Sequence, residues 1–192
     1  MRKARLSRKT KETDIRVKVD IDGDGSSVAR TGVKFLDHMI DSLATHSLMD
    51  LEVKAKGDLS HHLVEDVAIA LGTALGKALG SRAGIKRFGS AVVPMDDSLA
   101  LAAIDLVKRP YSAVDLKLER VMLEDAPRED IEHFFQSLTV ALEATVHVEV
   151  LDGKNDHHKF EAAVKAFALA FREAATPDPR RAKRTPSSKG AM

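Results

Sequence analysis

The chain has 192 residues, 44% hydrophobic and 31% charged, with a net charge of +1 and no cysteine. That composition describes a globular protein of one large or two small domains, and it excludes disulfides and thiolate-held metals. Near-neutral charge makes no demand for nucleic acid, and no apolar run reaches the ~20 residues of a membrane span. The basic start Met1-Arg2-Lys3-Ala4-Arg5 is followed by no signal-peptide apolar region, so a cytoplasmic protein with neither nucleic acid nor membrane as partner is expected.

Residues 10–21 alternate: Thr13, Ile15, Val17, Val19 and Ile21 oppose Asp14, Arg16, Lys18 and Asp20, which predicts a half-buried strand. Asp22-Gly23-Asp24-Gly25 signals a turn, and Ser26 to Arg30 is expected to return beside that strand as a hairpin. The turn lacks the ligand ladder and closing glutamate of a calcium loop. After Thr31-Gly32, Phe35, Leu36, Met39, Ile40 and Leu43 follow helical spacing, with His38 on the other face. His46 stands near the helix end, where a cation favours the dipole. Leu51 to Ala55 reads as a strand. The next helix carries Val64, Val67, Ala68, Leu71, Leu75, Ala78 and Leu79 on one stripe and stops at Gly80.

The second half opens with strands at Ala91 to Val93, Leu99 to Val107 and Ala113 to Leu118, then a charged loop from Glu119 to Asp130. Ile131 to Leu142 is a helix and Thr145 to Leu151 a strand. A final helix stripes Phe160, Ala163, Val164, Phe167, Ala168 and Phe171. Pro177 to Met192 reads as a basic, disordered tail. Each half is thus strands, helix, strand, helix: two α+β units, expected to pack by their helices, over residues 1–90 and 91–178.

The histidines follow this duplication. Ser60-His61-His62-Leu63-Val64-Glu65 returns as Asp156-His157-His158-Lys159-Phe160-Glu161. Ser60 and Asp156 are expected as helix N-caps, and each glutamate shares a helix face with the pair before it. His38 precedes His61 by 23 residues and His133 precedes His157 by 24, so six of the eight histidines fall on one repeat. One pair alone would read as solvated residues at a helix start. Two matched sets read as a metal site, because histidine packs no better than many residues but is the commonest metal ligand. Imidazole and carboxylate suit Mn, Fe, Zn or Co. His38, His61, His62, Glu65, His133, His157, His158 and Glu161 supply four ligands to each of two ions. Neighbouring histidines on a helix diverge, so both halves, or two subunits, are expected to share the ions, which would couple metal binding to assembly.

These residues resemble the imidazoleglycerol-phosphate dehydratase family over nearly the whole chain. The resemblance rests on Thr10-Lys11-Glu12-Thr13, Phe35-Leu36-Asp37-His38-Met39, both His-His-x-x-Glu segments, Arg87-Phe88-Gly89, Glu132-His133-Phe134-Phe135 and Pro186-Ser187-Ser188-Lys189-Gly190. It implies two four-stranded sheets, each with two helices on one face and the helices packed between, a fold of the ribosomal protein S5 domain 2 type. It implies two manganese ions per site, the same eight ligands, and a homo-oligomer of 24 subunits built from trimers. His46, Arg87, Arg109, Ser187 and Lys189 resemble phosphate-binding residues, so the tail, 179–192, gains a role in holding phosphate. Glu12, Asp96 and Lys165 match positions lining the substrate site. The chain also departs from the pattern. The acidic stretch before the first histidine pair is shortened to Leu59-Ser60, Ser42 replaces a glutamine, and Val107-Lys108 replaces Ser-Gly. Carboxylates that orient the metal ligands are expected to be lost with that stretch.

The chemistry implied is loss of water from D-erythro-imidazole glycerol phosphate, giving imidazole acetol phosphate in histidine biosynthesis. The proton to be removed has no neighbouring carbonyl to acidify it. Metals at both ring nitrogens would let the ring become imidazolate and expel hydroxide, acting as Lewis acids and template. Glu161 is the expected base, with Glu12 assisting through water and Glu65 as its competitor. The alternatives are a dinuclear metallohydrolase of a phosphorylated small molecule and a non-catalytic RNA-binding or metal-storage module suggested by Arg180-Arg181-Ala182-Lys183-Arg184.

Overall fold

The computed structural model describes residues 1–182 and 184–190; Lys183, Ala191 and Met192, part of the expected tail, lie outside the described residues. The first half runs β1 (Lys3–Lys9), β2 (Thr13–Asp20), β3 (Ser27–Arg30), α1 (Lys34–Ser47), β4 (Asp50–Gly57) and α2 (Ser60–Leu79). The second runs β5 (Phe88–Met95), β6 (Ser98–Asp105), β7 (Tyr111–Asp115), β8 (Met122–Leu123), β9 (Ala126–Pro127), α3 (Arg128–Leu142), β10 (Thr145–Asp152) and α4 (Asp156–Ala175). The sheets have the orders β1-β2-β4-β3 and β5-β6-β10-β7. These are one topology used twice, with the small β8-β9 ribbon added to the second copy. The expected duplicated α+β fold of two four-stranded sheets is therefore present.

Helix pairing crosses the halves. α1 packs against α4 and α2 against α3, so the helices form a layer between the two sheets. One apolar core runs through both, from Ile15 on β2 to Ala175 at the end of α4. Two glycines set close backbone approaches to the helices. A Cβ on Gly72 would lie 2.4 Å from the Leu138 carbonyl oxygen, and one on Gly89 would lie 2.1 Å from that of Ala170. Only glycine lets α2 meet α3, and β5 meet α4, at those distances.

Several expectations are corrected. The basic start of the chain is not an unstructured segment but leads into β1, an edge strand paired with β2, Leu6 opposite Val17. Ala4 and Leu6 are the only apolar residues it turns inward, too few to stand out. The hairpin does not form. β4 lies antiparallel beside β2, with Val53 opposite Val17, and β3 pairs with β4 in parallel, Ala29 opposite Val53. The turn after β2 is drawn around the end of β4, because Asp50 Oδ1 accepts from the Asp24 and Ser26 amides at 2.9 and 3.2 Å. The expected boundary at 90/91 falls within β5. β6 ends at Asp105 and β7 spans Tyr111–Asp115, both earlier than expected.

The helix starts also differ. Ser60 and Asp156 are the first residues of α2 and α4, not their caps. Leu59 and Asn155 are the caps, and only Asn155 uses its side chain, accepting from the His157 amide. The charged loop contains β8 and β9, and the turn between them carries Asp125. Its carboxylate accepts from the Lys34 and Phe35 amides at 2.7 and 2.9 Å, capping α1, whose own cap residue Val33 offers no side-chain bond. The described part of the tail is not loose. Gly84 N donates to Arg184 O at 2.9 Å, and Arg87 Nη1 donates to Pro186 O at 2.7 Å.

Candidate metal centre

The α1–α4 and α2–α3 pairings decide which histidines meet. His61 and Glu65, at the start of α2, meet His133 of α3; His157 and Glu161, at the start of α4, meet His38 of α1. Within each trio the candidate donor atoms lie within 4.8 Å of one another. The lone histidine of each half thus completes the pair of the other half. His61 and His133 stack with ring centroids 5.6 Å apart. Glu161 Oε2 lies 3.4 Å from His157 Nε2 and 3.8 Å from His38 Nε2. His62 and His158, the second members of each pair, stand outside both trios.

All four paired histidines present Nδ1 to a carboxylate. His61 lies 2.8 Å from Asp130, His62 2.8 Å from Asp58, His157 3.2 Å from Glu124 and His158 2.6 Å from Asp97. An imidazole whose Nδ1–H is held by a carboxylate has its Nε2 lone pair fixed in direction, the usual support of a ligating histidine. The carboxylates expected to be lost with the shortened segment are thus supplied from elsewhere. Asp130 is buried on α3 and also accepts from Ser60 Oγ at 3.1 Å. Sequence reasoning missed Asp58, Asp97, Glu124 and Asp130. Asp58 was findable, four residues before His62 at a helix start; the others reach their histidines only through the fold.

The two trios differ in charge. Lys165 Nζ lies 2.9 Å from Glu161 Oε1. Burial raises the Glu161 carboxyl, but the Lys165 ammonium, then His38 and His157, carry it below the ordinary carboxylate range. Burial and Lys165 push His46 down, against a weaker pull from Glu161, so His46, Lys165 and Glu161 act on one another. The Asp58 carboxylate pushes His62 up.

The remaining expected site residues lie as follows. Asp96 Oδ2 is 3.3 Å from His158 Nε2, and Glu12 Oε2 is 4.0 Å from His62 Nδ1. Arg87 is committed to a bidentate pair with Asp105, at 2.6 and 2.8 Å, and to the Pro186 carbonyl. Ser187 Oγ accepts from the Lys189 amide at 3.2 Å. Lys189 and Arg109 are exposed.

The donors fit a divalent transition ion: two imidazoles and a carboxylate in each trio, no thiolate, and a buried His133 Nδ1 with no hydrogen-bond partner among the described residues. Among the described residues no helix is long and apolar enough to cross a membrane.

Comparison with known proteins agrees with this geometry. Residues 31–171 match the family model described as imidazoleglycerol-phosphate dehydratase. The enzyme of that name from Chlorobium luteolum is 52% identical over 90% of this chain and 88% of its own. That from Cereibacter sphaeroides is 49% identical over the whole of both chains. The crystal structure of the dehydratase from Staphylococcus aureus superposes with a TM-score of 0.84 at 30% identity, covering 91% of this chain and 99% of the other. That of IGPD from Pyrococcus furiosus in complex with (S)-C348 gives 0.83 at 36% identity, covering 97% and 100%. With its histidines drawn together by a duplicated fold and a family match across most of its length, the chain belongs to the imidazoleglycerol-phosphate dehydratase family.

Proposed function

We propose that this protein is a hydro-lyase of histidine biosynthesis in the cytoplasm. It removes water from D-erythro-imidazole glycerol phosphate to give imidazole acetol phosphate, with two manganese ions per active site. The observation that carries the reading is the pair of His-His-Glu trios, each built from both halves and each with one histidine, His61 or His157, backed by a carboxylate on Nδ1. His61, Glu65 and His133 would hold one ion and His38, His157 and Glu161 the other. His62 and His158, turned away from the trios of their own chain, would complete those of a neighbouring subunit. Manganese, when bound, supplies Lewis acidity at the substrate's imidazole ring.

The chain's own groups do the rest. Glu161 accepts the carbon-bound proton, and the Lys165 ammonium, 2.9 Å from its Oε1, orients that carboxylate. Glu12 assists through water and Asp96 lines the substrate site. His46, Arg109, Ser187 and Lys189 receive the phosphate. Arg87 contributes by seating the tail, since its guanidinium holds the Pro186 carbonyl beside Ser187. The two repeats, the second opening with β5 (Phe88–Met95), supply the ligand scaffold, and the tail from 179 supplies phosphate contacts.

Assembly follows from the shared ligands. A homo-oligomer of 24 subunits, built from trimers, suits the outer sheet surfaces. The second sheet turns Phe88, Val92, Tyr111 and Leu151 to solvent, each more than two-fifths exposed, whereas the first turns out Lys3, Arg5, Lys9, Arg16, Lys18 and Lys54. A closed threefold ring joins two unlike surfaces of each subunit, and the two sheets provide two. Light scattering that finds a monomer would refute the assembly.

The deciding assay follows ketone and free phosphate from imidazoleglycerol phosphate, with manganese supplied or withheld. Manganese-dependent ketone without phosphate is expected. Release of phosphate would make the protein a dinuclear metallohydrolase instead.

A further inference from the structure

The two halves hold their second histidines by different means. In the second half Asp97, the residue just before β6, approaches His158 Nδ1 at 2.6 Å. Its counterpart in the first half is Glu12, the residue just before β2, yet Glu12 stands off at 4.0 Å from His62 Nδ1. Asp58 occupies the near position instead, at 2.8 Å. Counting from the glutamates of the two His-His-x-x-Glu segments, the residue matching Asp58 is Lys154, which offers no carboxylate. Asp58 is itself fixed: its amide donates to the Glu12 carbonyl at 3.1 Å, and its Oδ1 also accepts from the Leu59 amide at 2.7 Å. The short connection from β4 to α2 brings it there, since only Leu59 separates Asp58 from the first residue of the helix.

We propose that Asp58 is the positioning residue of His62, taking over in the first half the task that Asp97 performs in the second, and that this leaves the Glu12 carboxylate free for the substrate side. The assignment rests on His62 being a metal ligand. A carboxylate on Nδ1 fixes the Nδ1–H tautomer and aims Nε2; removing such a partner costs about 10–100-fold in metal affinity. The shortened segment before His61 is then a rerouting of this support, from the turn that precedes β2 to the turn that precedes α2.

The test is manganese titration of the full-length protein by calorimetry, with melting of the metal-free protein measured alongside. Asp58→Ala is expected to weaken manganese binding about 10–100-fold with the metal-free melting temperature nearly unchanged, because Asp58 is exposed and its bond to the Leu59 amide is replaced by water. Asp58→Asn, which keeps an acceptor but not the charge, falls between. Asp58→Glu, whose longer carboxylate can still reach Nδ1, restores most of the affinity. Glu12→Gln leaves affinity at the parent value, while Asp97→Ala repeats the Asp58→Ala loss. Unchanged affinity in Asp58→Ala, or an equal loss in Glu12→Gln, overturns the assignment while the metal site itself stands. A loss matched by lower metal-free melting, with no rescue by Asp58→Glu, would mean a structural role and overturn it equally. A parent protein that binds no manganese would overturn both this assignment and the reading beneath it.

Discussion

The two trios are twins in skeleton and strangers in surroundings. Each has a His-His-x-x-Glu segment opening a 20-residue helix and a lone histidine from the opposite half. Beyond that they diverge. One turn after its glutamate the first helix has Ile69 where the last has Lys165, and the first helix opens with Ser60 where the last opens with Asp156. The lesson is that duplication preserves what the ions require, while an asymmetric substrate needs unlike groups around them. A lysine stands beside Glu161, whereas among the described residues none pairs with Glu65, and these unlike settings suit the two carboxylates to unlike roles.

The sharpest way to break the comparison is to treat the two glutamates alike. Glu161→Gln is expected to lower kcat by about a thousandfold in protein that still assembles. Glu65→Gln should lose activity largely through weakened metal binding, so that excess manganese restores it. Steady-state kinetics across a manganese series decides. Equal, manganese-rescued losses in both variants would remove Glu161 as base.

A smaller effect is expected at the helix starts. The Asp156 carboxylate accepts from the Glu119 and Arg120 amides and from the Lys159 ammonium, itself buried. Burial raises its carboxyl, but the Arg120 amide, Lys159 and the Glu119 amide together hold it below the ordinary range. The folded state thus binds this proton less readily than the unfolded chain, whose aspartates titrate near pH ~4. Stability from Asp156 is therefore present above that pH and lost as pH falls through it and below. Asp156→Asn should cost about 3 kcal/mol at neutral pH, because it takes the near carboxylate from the buried Lys159 and leaves it the Lys117 carbonyl and the Glu119 carboxylate 3.9 Å away, and should flatten the acid side of the stability curve. Urea melts across pH test both; an unchanged acid limb would show that Asp156 contributes nothing to it.

The smallest effect separates the sheets. By strand register, Gly89 opposite Ile104 matches Ala4 opposite Val19. Gly89→Val should destabilise by about 1–3 kcal/mol, because its side chain meets the α4 backbone. Ala4→Val, on a half-buried edge-strand position, should cost less, within about 0.5 kcal/mol. Thermal melts of the two variants give the contrast, and equal shifts would mean that the close approach of β5 to α4 does not matter.

Much of the fold was legible because periodicity reports burial. The alternation of β2 and the stripe of α1 follow from one buried face per element, while the longest apolar side chains of α2 and α4 mark their stripes although those helices are buried on further sides as well. β1 was not legible because its inward face includes Arg8, which reaches Asp66 at 2.8 Å and so reads as surface. The hairpin expectation failed because strand adjacency is a long-range choice: β4 displaces β3 from β2. The Glu119–Asp130 segment looked like a plain loop, yet Asp125 caps α1 and Glu124 meets His157. Nothing local marks either contact.

What the sequence determined by itself is the repeat: eight ligand candidates at matched offsets, whose spacing along helices is set by covalent geometry and the helical turn. What only the tertiary structure decided is how they combine. Pairing α1 with α4 and α2 with α3 sends each lone histidine to the other half, and it chooses Asp58, Asp97, Glu124 and Asp130 as the carboxylates that aim the rings. The physical reason is reach. A helix fixes neighbours four residues apart, whereas contacts across 61 or 69 residues exist only once the core has packed.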